Sequence, residues 1–98
     1  MVTDENTIKK NFVDFINKYG AKPKEWYTGI ATDPKKRLDD HKVTNGYTFD
    51  NAGSEEAARR IEKYMVETVG TQGGGGGGDK SSTWIYCYKI TSSTIENA

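Results

Sequence analysis

The sequence predicts an α+β domain in which three helices cover a small antiparallel sheet of two or three strands. Residues 25–31 and 83–91 are rich in aromatic and β-branched side chains, which is typical of strands. Apolar residues recur at helical spacing near the N-terminus and between residues 54 and 69. Because two strands alone would be marginally stable, we expect helices to cover at least one face of the sheet.

The first helix is expected within an N-terminal extension over residues 1–22. Its apolar side chains fall at helical spacing: Ile8, Phe12, Phe15, Ile16 and Tyr19. Thr3 or Asp4 can cap its start, and Gly20 followed by Pro23 ends it. The opposite face is charged, so we interpret this helix as cover for the sheet rather than as a surface for a partner.

A strand over residues 25–31 is followed by a helix over residues 34–43. Thr32 or Asp33 can cap this helix, and Pro34 suits its first position because no backbone donor is needed there. After a turn at Asn45-Gly46, the run Tyr47-Thr48-Phe49 is either a short edge strand or a loop that packs Phe49.

The third predicted helix begins after Ser54 and ends at Gly70. Its apolar stripe consists of Ala58, Ile61, Met65 and Val69. Glu62 lies on the same stripe, and an unpaired carboxylate on a buried face is destabilising. Glu62 is therefore either a functional residue or a salt-bridge partner of Arg59 or Lys63.

Residues 72–80 contain six consecutive glycines and are expected to form a flexible loop, since glycine has high chain entropy and no side chain to pack. In the strand that follows, Trp84, Tyr86 and Tyr88 share one face. The polar tail after Thr91 is expected to fray.

Composition limits the function classes. The 98 residues make a single domain, and 14 basic and 14 acidic side chains give no net charge, so any attraction to DNA must be local. The single Cys87 excludes an internal disulfide and a cysteine zinc cluster and favours a reducing compartment. No apolar run could span a bilayer and no signal-peptide pattern is present. We expect a cytoplasmic, intracellular protein without a membrane partner.

Residues 25–69 carry a specific order of residues on a strand and two helices. They are Tyr27, Thr28, Gly29, Arg37, Leu38, His41, Ala58 and Glu62. This pattern resembles the GIY-YIG nuclease family, with Tyr27-Thr28-Gly29 as the YIG half. The family's GIY strand should precede it, and nothing upstream of Tyr27 has that pattern. Two explanations remain open. Tyr86 supplies the missing tyrosine in a circularly permuted arrangement, or residues 83–91 are the ordinary third strand and the first strand is lost.

The resemblance implies a metal-dependent endonuclease that hydrolyses DNA phosphodiester bonds. Glu62 would hold Mg²⁺ or Mn²⁺. Arg37 would grip the scissile phosphate, and Tyr27 and His41, with Tyr86 as the second tyrosine, would orient or deprotonate water. Diffuse phosphate contacts would come from three lysines: Lys35, Lys36 and Lys42. The alternative is a catalytically inactive GIY-YIG-like module that binds nucleic acid or a protein partner.

Each of these residues also has an ordinary structural interpretation when it is taken alone. Tyr27 is then a strand aromatic, and His41 is an exposed helix residue. Arg37 is a surface charge that pairs with a nearby aspartate, of which there are three: Asp33, Asp39 and Asp40. The order of the whole set is more specific than any one of its members.

Overall fold

The computed structural model describes residues 4–20, 22–73 and 82–96. These residues form an α+β fold with three α-helices and a four-stranded mixed sheet. The elements in chain order are α1 (Glu5–Tyr19), β1 (Trp26–Ala31), α2 (Pro34–Asp40), β2 (Tyr47–Asn51), α3 (Glu55–Tyr64), β3 (Gln72–Gly73) and β4 (Trp84–Lys89). Among the described residues, no helix combines the length and the apolar character needed to cross a lipid bilayer.

The strands are ordered β2-β4-β1-β3 across the sheet. Strand β4 pairs antiparallel with both β1 and β2, whereas β3 pairs parallel with β1. The predicted antiparallel pairing is confirmed for β1, β2 and β4, whereas the sheet has a fourth strand, β3, that was not predicted and that pairs parallel. The Tyr47 segment is a strand, which resolves the choice between strand and loop.

The fourth strand, β3, was missed because it consists of Gln72 and Gly73, at the start of the predicted loop. Gly73 has a φ of +126°, and a Cβ there would overlap the backbone carbonyl of Thr28. Only glycine tolerates that conformation and that approach of two backbones. Residues 74–80 of the predicted flexible loop lie outside the described residues.

The two faces of the sheet pack against different helices. On one face, Trp26, Ile30 and Ile85 belong to the core that α1 and α3 cover. On the other face, Tyr86 and Tyr88 pack in a smaller cluster with residues from and just after α2, among them Leu38 and Val43. This second face holds most of the predicted site.

Helix α1 matches its predicted pattern. The Asp4 carboxylate accepts a hydrogen bond from the Thr7 backbone N–H, and Gly20 ends the helix in the left-handed conformation. The buried residues are Ile8, Phe12 and Ile16. Tyr19, predicted on the apolar stripe, is 49% exposed.

Helix α2 is shorter than the predicted 34–43. The Asp33 carboxylate caps it by accepting from the Lys36 backbone N–H. The helix ends at Asp40 because Lys42 adopts a φ of +62°, after which the Val43 N–H donates to the Leu38 carbonyl. His41 is consequently the residue that caps the C-terminal end.

Helix α3 begins after its Ser54 cap, as predicted, but changes geometry in its last turns. From Met65 to Val69 the chain is π-helical, and the Gly70 and Thr71 N–H groups both donate to the Met65 carbonyl. The wider turn follows directly after the segment that carries Glu62.

The sequence predicts that the segment after β4 frays, but in the structure it makes contacts with the rest of the fold as far as Glu96. Residues 91–94 form a turn in which the Thr94 N–H donates to the Thr91 carbonyl. The Ile95 N–H then donates to the His41 carbonyl over 2.8 Å, and the Tyr88 hydroxyl donates to the Glu96 carboxylate over 3.2 Å. Backbone groups form most of these contacts, so the polar composition gave no sign of them.

Candidate active site

Four of the five predicted catalytic side chains meet on the α2 face of the sheet. His41 is central: its Nε2 lies 3.0 Å from the Tyr86 hydroxyl and 3.4 Å from an Arg37 guanidinium nitrogen. The ring of Tyr27 packs beside the imidazole with centroids 5.1 Å apart. Residues from β1, α2 and β4 thus form one cluster.

The register of β1 and β4 explains how Tyr86 reaches this cluster. Tyr86 lies opposite Gly29, and Tyr88 lies opposite Tyr27. A Cβ at Gly29 would overlap the Tyr86 hydroxyl and ring, so the phenol occupies the space that a larger residue would fill. The glycine of the Tyr-x-Gly motif therefore accommodates the tyrosine of the neighbouring strand.

His41 is fully buried, contrary to the interpretation of it as an exposed helix residue. Because α2 ends at Asp40, the imidazole turns toward the sheet, where its Nδ1 lies 2.5 Å from the Ile95 carbonyl. Burial lowers the pKa of His41 below its usual value, and the Arg37 charge lowers it further. The contact with Ile95 opposes these effects. The net shift favours the neutral imidazole.

Arg37 contacts an acidic side chain as well as the imidazole. Its guanidinium forms an ion pair with Asp40 at 3.4 Å, one of the pairings expected from the sequence, and it also reaches His41. Its side chain is 35% exposed, so it keeps access to solvent. An arginine at the border between a buried cluster and solvent suits recognition of a phosphate.

The two tyrosines that were predicted as catalytic, Tyr27 and Tyr86, are protonated at neutral pH. Burial raises the pKa of Tyr86 to about 12, with a further contribution from Tyr27. Burial also raises the pKa of Tyr27, and the Glu62 charge adds to that effect. Tyr27 is only half-buried and is the more accessible of the two.

Glu62 lies on α3 and is 8% exposed. Within the described residues it accepts no hydrogen bond and forms no ion pair; the nearby Arg59 pairs with Glu55 instead. Burial raises the pKa of Glu62, and the Arg59 charge offsets part of the effect. Its charge contributes to the raised pKa of both Tyr27 and Tyr86, so the carboxylate lies within electrostatic range of the cluster without direct contact.

The Glu62 carboxylate is an oxygen ligand of the kind that a hard divalent cation prefers. A largely buried carboxylate such as Glu62, without an ion pair among the described residues, is stabilised by a bound cation, and Mg²⁺ commonly takes one or two carboxylates together with water and substrate phosphate. Among residues 4–20, 22–73 and 82–96, no three His, Cys, Asp or Glu side chains cluster in a way that could hold a metal. Glu62 would be the protein's single carboxylate ligand.

The predicted DNA-contacting lysines are exposed around α2: Lys35, Lys36 and Lys42. Lys36 lies 3.5 Å from Asp40 in a solvent-exposed pair, which contributes little to stability. A cleft of about 530 Å³ beside α2 is lined by Lys36 and Arg37 together with Asp33 and Ser82. The arginine of the cluster is therefore part of the wall of this cleft.

Sequence reasoning missed three members of this site. Tyr88 stacks on Tyr27 with centroids 5.4 Å apart and contacts the His41 ring at 5.2 Å. The alternation of aromatic residues in β4 placed Tyr88 on the correct face and could have indicated its role. The Ile95 carbonyl is a backbone group in a polar tail, and it and Glu96 had no sequence signal.

Comparisons of the chain with protein-family models, with curated proteins and with solved structures found no match. The cluster combines an imidazole, three phenols and a guanidinium, with a largely buried carboxylate in electrostatic range. These groups can bind a phosphate, move a proton and attract a cation.

Proposed function

We propose that the chain is a metal-dependent endonuclease that hydrolyses DNA phosphodiester bonds with a circularly permuted GIY-YIG arrangement. The observation that carries the proposal is the 3.0 Å contact between the Tyr86 hydroxyl and His41 Nε2. It joins the last strand of the chain to the motif residues of β1 and α2. The GIY-YIG pattern has a second tyrosine upstream of the YIG half, which this sequence lacks. Tyr86 provides a second tyrosine in the same cluster.

The topology supports the permuted explanation over the loss of the first strand. Strand β4 pairs with β1 along all six of its residues and lies between β1 and β2. A strand directly beside the YIG strand, carrying a tyrosine into the site, has the role that the resemblance gives to the GIY strand. In this proposal Trp84-Ile85-Tyr86 stands for GIY, at the end of the chain rather than before β1.

The buried cluster suggests a path for the proton of the attacking water. The water proton passes to the Tyr86 oxygen while the Tyr86 proton passes to the lone pair on His41 Nε2. Burial raises the pKa of Tyr86 to about 12, so the phenol is protonated at neutral pH, and coupling the two transfers avoids a free phenolate. The water oxygen bonds to phosphorus, the bond to the leaving oxygen breaks, and that oxygen takes a proton from solvent.

The remaining groups bind the phosphate. Arg37, which is partly exposed beside the cleft, would pair with the phosphoryl oxygens, and the Tyr27 phenol would donate a hydrogen bond. A cation at Glu62 would neutralise the charge that develops on the phosphate and on the leaving oxygen. With no net charge on the chain, the exposed lysines near α2 would bind DNA only weakly.

The test is cleavage of supercoiled, branched and single-stranded DNA by the purified protein with Mg²⁺ or Mn²⁺. Tyr86→Phe removes only the hydroxyl and should abolish cleavage. Tyr64→Phe, on the opposite side of the sheet, is the matched control and should cleave like the wild type. If the wild type cleaves none of these substrates and neither metal changes its stability, the chain is an inactive module that binds nucleic acid or a protein.

A further inference from the structure

The two ring nitrogens of His41 have partners of different kinds. Nδ1 lies 2.5 Å from the Ile95 carbonyl oxygen, which can only accept a hydrogen bond. Nδ1 must therefore carry the proton. In the neutral ring Nε2 then has a lone pair, and its neighbours are the Tyr86 hydroxyl at 3.0 Å and the Arg37 guanidinium at 3.4 Å, both of which can donate. The Nδ1–H tautomer is compatible with all three contacts, with the Nε2 lone pair facing the Tyr86 hydroxyl at the shorter distance.

We propose that the C-terminal segment, residues 91–96, is a positioning element that holds His41 in the Nδ1–H tautomer. Ile95 is the positioning residue, and it acts through its backbone. Without its carbonyl, the ring could place the proton on Nε2 or rotate, and in either case the lone pair would no longer face Tyr86. Free histidine in water favours the Nε2–H tautomer, so the protein must impose the opposite choice.

The segment is built to hold this carbonyl in place. The Ile95 N–H donates to the His41 carbonyl over 2.8 Å, so the two residues are joined by two hydrogen bonds in opposite directions. On one side the Thr91–Thr94 turn fixes the path of the chain, and on the other side Glu96 accepts from the Tyr88 hydroxyl. The Ile95 side chain is 44% exposed, which leaves the backbone as the part that contacts the site.

One stretch of chain thus provides a hydrogen-bond partner for each of the two ring nitrogens of His41. Tyr86 of β4 reaches Nε2, and nine residues later Ile95 reaches Nδ1. The strand provides the partner of Nε2, and the segment after it provides the partner of Nδ1. In other histidine sites a carboxylate or a backbone carbonyl holds one ring nitrogen in this way while the other nitrogen does the chemistry. The effect of this segment on cleavage rests on the proposed function, whereas the choice of tautomer does not.

His41 is the protein's single histidine, so its spectrum can be read without assignment. The experiment labels the imidazole with ¹⁵N and records the two ring-nitrogen shifts by NMR at a pH well above the His41 pKa, without DNA or metal. The expected result for the wild type is a protonated Nδ1 and a pyridine-type Nε2. Deletion of residues 95–98 should shift the populations toward the Nε2–H tautomer.

A proline pair provides matched variants if the deletion fails to fold. Ile95→Pro removes the N–H that anchors the segment and should also shift the tautomer. Ser92→Pro, at the second position of the turn where proline is accepted, should keep the wild-type spectrum. A wild-type spectrum of the Nε2–H form, or an unchanged spectrum in a folded Ile95→Pro or truncated protein, would overturn the proposal.

Cleavage assays on the same proteins separate this proposal from the nuclease itself. If the wild type cleaves DNA, the deletion and Ile95→Pro should lose at least tenfold in rate, and Ser92→Pro should not. An inactive wild type with the expected spectra would contradict the nuclease and support the positioning role. Full cleavage by a variant whose tautomer has changed would contradict the role of the Nε2 lone pair.

Discussion

The phenol of Tyr86 occupies the space where a side chain on Gly29 would lie. The two residues lie opposite each other on the paired strands β1 and β4, and a Cβ at Gly29 would overlap the Tyr86 ring. This relationship links the Tyr-x-Gly motif to the last strand. It explains why the motif needs glycine here, although Gly29 has no positive φ.

Gly29→Ala should therefore displace Tyr86 from His41. We expect a loss of about 1–3 kcal/mol in the free energy of unfolding, the usual effect of overpacking a core. We also expect a loss of cleavage comparable with that of Tyr86→Phe. Urea unfolding and the DNA assay measure the two effects.

A double-mutant cycle combines Gly29→Ala with Tyr86→Leu. Leucine lacks the hydroxyl and the distal ring atoms that would overlap a Cβ at residue 29. In that background the alanine should be much less destabilising. An equal loss of stability in both backgrounds would mean that Gly29 is needed for another reason.

Glu62→Gln should stabilise the fold at neutral pH when no divalent metal is present. Burial raises the pKa of Glu62 in the folded protein. The protonated side chain therefore contributes its full stabilisation below the pKa of the unfolded state, and this stabilisation is lost as the pH rises through the pKa of the folded state. The advantage of glutamine should thus be larger at neutral pH than at acidic pH. Thermal unfolding across this pH range measures it.

The matched control for stability is Glu67→Gln, which changes an exposed carboxylate after the same helix and should have little effect at any pH. Added Mg²⁺ or Mn²⁺ should raise the melting temperature of the wild type and not that of Glu62→Gln. A wild type that is more stable than Glu62→Gln at neutral pH without metal would show that the carboxylate has a stabilising partner.

The pH dependence of cleavage should report His41. A base must be neutral to accept a proton, and burial lowers the His41 pKa below the usual value for histidine, about 6.5. Cleavage at low substrate concentration should rise with pH and level off, with its midpoint below 6.5. A midpoint clearly above that value would contradict the buried, neutral imidazole.

The parts of the site that could be predicted depend on local spacing. Tyr27, Arg37 and Glu62 lie on the expected strand and helices, because a cap, a proline and an apolar stripe fix those elements locally. The burial of His41 could not be predicted, since it depends on a backbone carbonyl 54 positions away in the chain. The sequence could name Tyr86 as a candidate, but its position opposite Gly29 is known only from the strand pairing in the structure.

The missed strand and the changed helix geometry have a similar cause. Gly73 pairs through backbone groups and looks like the rest of a glycine run. The π-helical turn at Met65–Val69 keeps an apolar pattern that suits an ordinary helix equally well. Side-chain patterns carry little information where the backbone makes the contacts.

The most direct measurement of the proposed function is metal-dependent DNA cleavage by purified wild type, Glu62→Gln and Glu67→Gln. Glutamine is nearly isosteric with glutamate and removes only the charge, so circular dichroism should show all three proteins folded. We expect Mg²⁺- or Mn²⁺-dependent cleavage by the wild type and Glu67→Gln, and none by Glu62→Gln. Cleavage that persists in Glu62→Gln at the wild-type rate would contradict the assignment of Glu62 as the metal ligand of a nuclease.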